Sequence, residues 1–305
     1  MLIDEVDRYL RIRRSLGYKL EQVGRMLTLF ATWADERGED YIRSHSTILW
    51  ASEASTRRAR QKRLSVVAKF ARFLAAEDKR HEVPLLGYFD GPTSRPVPYI
   101  FSDVEIERIL AEATRLRISA KTPNRAETYG MLYGLLAATG MRISEALNLT
   151  RQDNQRNGVL FIRETKFHKS RLVPLHPTTA DALDRYLALR ARCAVPGDFV
   201  FARTCGMRIR YADVRNTFVL LLGRAKIAPG RRIRPRMHDL RHTFATRTLE
   251  QSGLVRGAID RRTVALSTYL GHVDIVSTYW YLQATPELLT DMASNAESLV
   301  QGGAA

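Results

Sequence analysis

The chain has 305 residues, enough for about two domains at roughly 150 residues each, and its 45% hydrophobic content is that of an ordinary globular protein. No run approaches the roughly 18 uncharged apolar residues of a membrane span, and Met1-Leu2-Ile3-Asp4-Glu5 has no basic stretch leading into an apolar one, so the expectation is a soluble, cytoplasmic protein. Lysine and arginine number 48 against 32 acidic residues, a net charge of +16, which makes nucleic acid the expected partner and a membrane surface a poorer one, since each phosphate neutralised releases condensed counterions.

The first segment reads as a helical unit. Apolar residues recur at helical spacing in Val6-Tyr9-Leu10, in Val23-Met26-Leu27-Phe30-Trp33 and in Leu64-Val67-Phe70-Phe73-Leu74, with breaks at Gly38 and at Ser44-His45-Ser46. The third helix follows Ser55-Thr56, which are N-cap residues, and carries Arg57, Arg58, Arg60, Lys62, Arg63, Lys69 and Arg72. A run of arginines is often only a solvated face. Here no interleaved acids supply i,i+4 partners, which favours contact with phosphates.

Gly87 to Pro98 concentrates glycine and proline and cannot continue a helix, so residues 89–100 are read as a linker between a domain at 1–88 and another at 101–285. Ser102 and Glu105 are placed for a capping box at the start of a new helix. Glu127 to Ala138 is an apolar helix that Gly140 can end in a left-handed conformation. Gly158 to Arg163 and Arg171 to Leu175 read as two strands around a polar turn, with Lys166 at the mouth of the hairpin. Helices are predicted at Thr178 to Arg192 and Tyr211 to Leu222, with Phe199-Val200-Phe201 as a short strand between them. Residues 286–305 hold a final amphipathic segment, Pro286 to Val300, and a disordered end. The fold class is mainly α with a small β-sheet. Cys193 and Cys205 have neither disulfide nor zinc-site spacing, and no carboxylate cluster has metal-ligand spacing, so no metal is expected.

The chemistry-bearing strings are Thr139-Gly140-Met141-Arg142-Ile143-Ser144-Glu145, Thr165-Lys166-Phe167-His168-Lys169, His238-Asp239-Leu240-Arg241-His242, and Leu270-Gly271-His272 followed by Tyr281. Each alone is weak. A His-x-x-Arg pair arises by chance in many basic proteins, and a tyrosine beside Tyr279 and Trp280 is more often a packed aromatic. Their ordered conjunction resembles the active site of the tyrosine recombinases, the phage integrase family, which cut and rejoin DNA through a covalent phosphotyrosine.

The resemblance covers nearly the whole chain. It implies an N-terminal helical core-binding domain, whose DNA contacts would include Arg57, Arg58, Arg60, Lys62, Arg63 and Lys69, and an α+β catalytic domain. The two would clamp double-stranded DNA from opposite sides. Four protomers would work on two DNA sites, as a homotetramer or with related recombinases. Arg142 and Arg241 would bind nonbridging phosphate oxygens, where arginine's planar fork is suited to the charge of the transition state. His238 would share the proton of the nucleophile, His272 would add a hydrogen bond, and Lys166 would protonate the leaving 5′ oxygen. Tyr281 would attack phosphorus to give a 3′-phosphotyrosine, and covalent storage of the bond energy removes any need for ATP or another cofactor. Glu145 and Asp239 would orient the neighbouring arginine and the helix entry.

Lys169 and Tyr279 remain alternatives to Lys166 and Tyr281. Ser277 to Leu288 resembles recombinases of transposons and integrative elements. In the family, a tail such as 286–305 commonly docks into the neighbouring protomer; packing on its own domain is the alternative. Two other functions share these features: a type IB topoisomerase that relaxes DNA, and a noncatalytic DNA-binding regulator.

Overall fold

The computed structural model describes residues 1–91, 97–118, 123–155, 157–163, 170–193, 195–231, 233–250 and 256–271, with the backbone alone for 256–260. The chain divides into two compact units, Met1–Arg95 and Pro96–Ala305.

The first unit is built from α1 (Leu2–Ser15), α2 (Glu21–Asp35), α3 (Ser44–Ser52) and α4 (Arg57–Leu74). The apolar stripes read from the sequence form its core: Val6 and Leu10 of α1, Leu27 and Phe30 of α2, Val67 and Phe70 of α4. Thr56 caps α4, its hydroxyl accepting the Ala59 N–H at 3.2 Å. The Ser44-His45-Ser46 stretch, expected to be a break, instead opens α3. The Glu82 carboxylate caps that helix by accepting the Ser44 N–H at 2.8 Å, Thr47 and Ser52 bond back to the Arg43 and Ile48 carbonyls, and Trp50 sets its edge on Phe30 with centroids 5.3 Å apart. Hydroxyls that normally argue against a helix are satisfied within it.

The basic side chains of α4 divide into two groups. Arg60 donates to the Ala54 carbonyl and Arg63 to that of Trp50, each at 2.8 Å, and Arg63 also stacks over the Trp50 ring, so both serve the end of α3. Arg57, Arg58, Lys62 and Lys69 are exposed. At the end of this unit, Asp90 accepts from Gln61 and the Gly91 carbonyl from Arg57.

The second unit opens with Phe101 fully buried and with α5 (Asp103–Thr114), whose Ser102/Glu105 capping box is present. At its centre is α6 (Arg125–Thr139), packed against α5 and two later helices, α8 (Pro177–Arg192) and α10 (Met237–Glu250). Leu132, Tyr133, Leu135 and Leu136 are buried, and the Tyr133 hydroxyl is satisfied by the Val214 carbonyl at 2.8 Å. Among the described residues, the remaining α-helices are α7 (Ile143–Asn148), α9 (Tyr211–Arg224) and α11 (Arg256–Leu270). A three-stranded antiparallel sheet runs β1-β2-β3, from β1 (Asn154–Gln155), β2 (Val159–Ile162) and β3 (Arg171–Pro174). In register, Leu160 faces Val173, both buried, and Ile162 faces Arg171. Phe199-Val200-Phe201 does not form a strand: Phe199 makes an isolated bridge to Thr150, the Val200 N–H donates to the Leu149 carbonyl and the Phe201 carbonyl accepts from Ile209, while Val200 and Phe201 pack in the core. Among the described residues, no helix is long and apolar enough to cross a membrane.

Candidate active site

Gly140 ends α6 at φ +59°, a left-handed turn that releases the chain into Met141 and places Arg142 at the start of α7. Glu145 then reaches back one turn. Its Oε2 accepts the Arg142 backbone N–H at 2.9 Å and its Oε1 accepts the Arg142 guanidinium at 2.8 Å, so a single carboxylate sets both the helix entry and the side chain of Arg142. The same carboxylate receives Arg171 of β3 bidentately, at 3.0 and 2.8 Å. Burial works to raise the Glu145 pKa, but the hydrogen bonds and charge of Arg171, with the hydrogen bonds of Arg142, outweigh it and hold the carboxyl below its ordinary range. Glu145 is therefore a permanent anion between two arginines.

A similar device opens α10. The buried Asp239 accepts the Arg236 backbone N–H at 2.7 Å and its guanidinium at 2.9 Å. Asp239 thus holds both the helix entry and the Arg236 side chain. Arg241, one helical turn beyond His238, is 2% exposed and donates to the Gly140 carbonyl at 2.8 Å and the Leu270 carbonyl at 2.9 Å.

The last turn of α11 gathers the arginines. A helix ends with carbonyls that have no intrahelical partner and with a partial negative charge, and cations satisfy both. Here Tyr269 O accepts from Arg171 at 2.7 Å, Leu270 O from Arg241 at 2.9 Å and Gly271 O from Arg142 at 3.1 Å. Three arginines from three elements bind three successive carbonyls. The point at which the chain leaves α11 toward residue 272 is thereby set against Arg142 and Arg241.

His238 lies close enough for both guanidiniums to act on its titration. The ring keeps solvent access on one side, yet the protein packed around it removes water; this desolvation, followed by Arg241, Arg236 and Arg142 and opposed by Asp239, lowers its pKa from the usual 6.5. At neutral pH the imidazole is uncharged and able to accept a proton. It stands edge-on to His242, with centroids 4.7 Å apart. Tyr269 is near the cluster, but burial pushes its pKa up to about 12 and its hydroxyl meets the Pro174 carbonyl at 3.4 Å, so it stays protonated.

The structure brings Arg142, His238 and Arg241 to one place. Lys166, Lys169, His272, Tyr279, Tyr281 and the tail 286–305 lie outside the described residues. Reasoning from sequence missed Arg171, whose one signal was a charged residue opening an otherwise apolar strand. Among the described residues, no group of three or more His, Cys, Asp or Glu could hold a metal ion.

Comparison with known proteins shows the family. Residues 101–287, more than half of the chain, match the model of the Phage integrase family. The chain is 36% identical over 304 residues to the putative integrase/recombinase y4rB of Sinorhizobium fredii, covering 96% of each chain. It is 32% identical over 246 residues to the tyrosine recombinase XerD of Caulobacter vibrioides, covering 78% of this chain and 74% of that one. In fold, it is similar to the Tn1549 transposon integrase in complex with transposon right-end DNA, with a TM-score of 0.71 at 17% identity over 98% of this chain and 99% of that one. The match of residues 101–287 to the family model and the extent of similarity to these relatives lead to one conclusion: the chain belongs to the phage integrase family, the tyrosine recombinases, enzymes that break and rejoin DNA.

Proposed function

We propose that the protein is a site-specific recombinase of a mobile element, in which Tyr281 attacks a DNA phosphate to give a 3′-phosphotyrosine and a free 5′ hydroxyl, without metal or ATP. The observation that carries this reading is the binding of Arg142 and Arg241 to the end of α11, immediately before the segment that contains His272 and Tyr281. Two guanidiniums beside one phosphate would stabilise the charge that builds on its nonbridging oxygens. His238, uncharged at neutral pH, would accept or share the tyrosine proton. Lys166 would protonate the departing oxygen, His272 would add a hydrogen bond, and four protomers on two DNA sites would exchange strands. The tail 286–305 would couple neighbouring protomers.

The test is covalent trapping on nicked or supercoiled DNA carrying the ends of the native element, read on denaturing gels. Wild-type protein is expected to yield a DNA-linked species that Tyr281→Phe abolishes and Tyr279→Phe retains. Loss in Tyr279→Phe alone would move the nucleophile to Tyr279, and tight binding with no adduct would favour a regulator.

Within the first unit, the exposed face of α4 is proposed to meet DNA phosphates. Arg58, Lys62 and Lys69 are the side chains to replace, since Arg60 and Arg63 hold α3. Changing all three to glutamine should reduce the slope of log K against log salt by about 0.9 for each phosphate that is no longer neutralised. A titration with an unchanged slope would return this face to being merely solvated.

A further inference from the structure

We infer that Arg171 is a positioning residue for strand cleavage, tying the carboxylate that orients Arg142 to the end of α11, so that the cation and the nucleophile-bearing segment reach one phosphate in register. The inference rests on the recombinase reading above and assigns a role to a residue outside the expected catalytic set.

Arg171 and Glu145 are held together by several bonds at once. An ionised carboxylate offers about four acceptor positions, and those of Glu145 are divided evenly: two take the backbone and guanidinium of Arg142, two take Arg171. The Nε–H of Arg171 goes to Tyr269 O at 2.7 Å, two residues before the chain passes beyond α11. The Arg171 side chain is 10% exposed and that of Glu145 5%, so water does not substitute for either. Gly271, at φ +67°, lies against the same guanidinium: a Cβ there would come within 2.8 Å of an Arg171 terminal nitrogen. A lysine supplies the charge but not three donors in one plane, and cannot hold both oxygens of Glu145 and Tyr269 O together. Without Arg171, Glu145 can swing about Arg142, and the end of α11 is held by two tethers in place of three.

Full-length Arg171→Gln, Arg171→Lys and Glu145→Gln would be compared with wild type for DNA affinity, for the rate of covalent adduct formation at saturating protein, and for thermal midpoint. Each rate would also be measured on DNA in which the bridging 5′ oxygen of the scissile phosphate is replaced by sulfur, because a thiolate leaves without being protonated. The expectation is affinity within about threefold of wild type and adduct formation slowed about 10²-fold, the cost of misplacing a reacting group by an ångström. Lysine should rescue only in part. The sulfur substrate should restore Lys166→Ala but none of these variants, and Arg171→Gln combined with Glu145→Gln should be no slower than either alone. Should Arg171→Gln fail to fold, Arg171→Lys and Glu145→Gln test the same unit. A variant that melts lower yet cleaves at the wild-type rate would reduce Arg171 to a structural ion pair, and rescue by sulfur would place it on the leaving group instead. Either result overturns the inference. Wild-type protein that binds the DNA but forms no adduct on either substrate would instead overturn the recombinase reading itself.

Discussion

Arg241→Lys is expected to slow DNA cleavage by about 10²–10³-fold, the usual effect of removing one preorganised donor from a developing oxyanion. Charge is kept in this variant, so the loss would measure geometry. Arg241 spans from the Gly140 carbonyl to the Leu270 carbonyl while almost wholly buried. A lysine ammonium can serve one of these carbonyls, and the other is left without that donor at a cost of about 1–3 kcal/mol. Single-turnover cleavage at saturating protein, with thermal melting in parallel, separates the two effects. A lower midpoint with an unchanged cleavage rate would mean that Arg241 braces the helices and does not touch phosphate.

The second large effect is at Gly140. A Cβ added there would come within 2.5 Å of Phe244 Cδ1 and 3.2 Å of Leu270 Cδ2, at a backbone φ of +59°. The left-handed conformation costs an L-residue about 1–2 kcal/mol and overpacking a further 1–3 kcal/mol. Gly140→Ala should therefore lower unfolding stability by about 3 kcal/mol in urea titration. Gly230→Ala is the control, since Gly230 has a similar φ of +77° but nothing within 4 Å of the added carbon; only the conformational cost of about 1–2 kcal/mol should be seen. Equal effects at the two positions would show that the packing against Phe244 relaxes freely. Because the Gly140 carbonyl receives Arg241, a displaced turn should also reduce cleavage.

How much could be read beforehand varied with the range of the interaction. The capping box at Ser102/Glu105, the stop at Gly140 and the hairpin of β2 and β3 follow from residues a few positions apart, and all are present. The α3 helix was missed because Ser46 and Thr47 occupy buried positions on it, which breaks the apolar period that marks α1, α2 and α4. Arg60 and Arg63 looked equivalent to Arg58 and Lys62 along α4, yet the end of α3 takes the first two. At the site, the motif strings singled out Arg142, His238 and Arg241, which the fold brings together, and the family resemblance implied Glu145 as a support.

The sequence by itself determined the family, the helical periods, the basic charge and the residue types available for phosphoryl chemistry, because each of these lies in composition or in local spacing. Only the tertiary structure decided which groups meet. Arg241 bonds a carbonyl 101 positions away and Arg142 one 129 positions away, and Arg171 joins Glu145 to Tyr269 across three elements. Such pairings leave no periodic trace in the chain, since their donors are buried by packing of distant helices and their acceptors are backbone carbonyls, which every residue possesses.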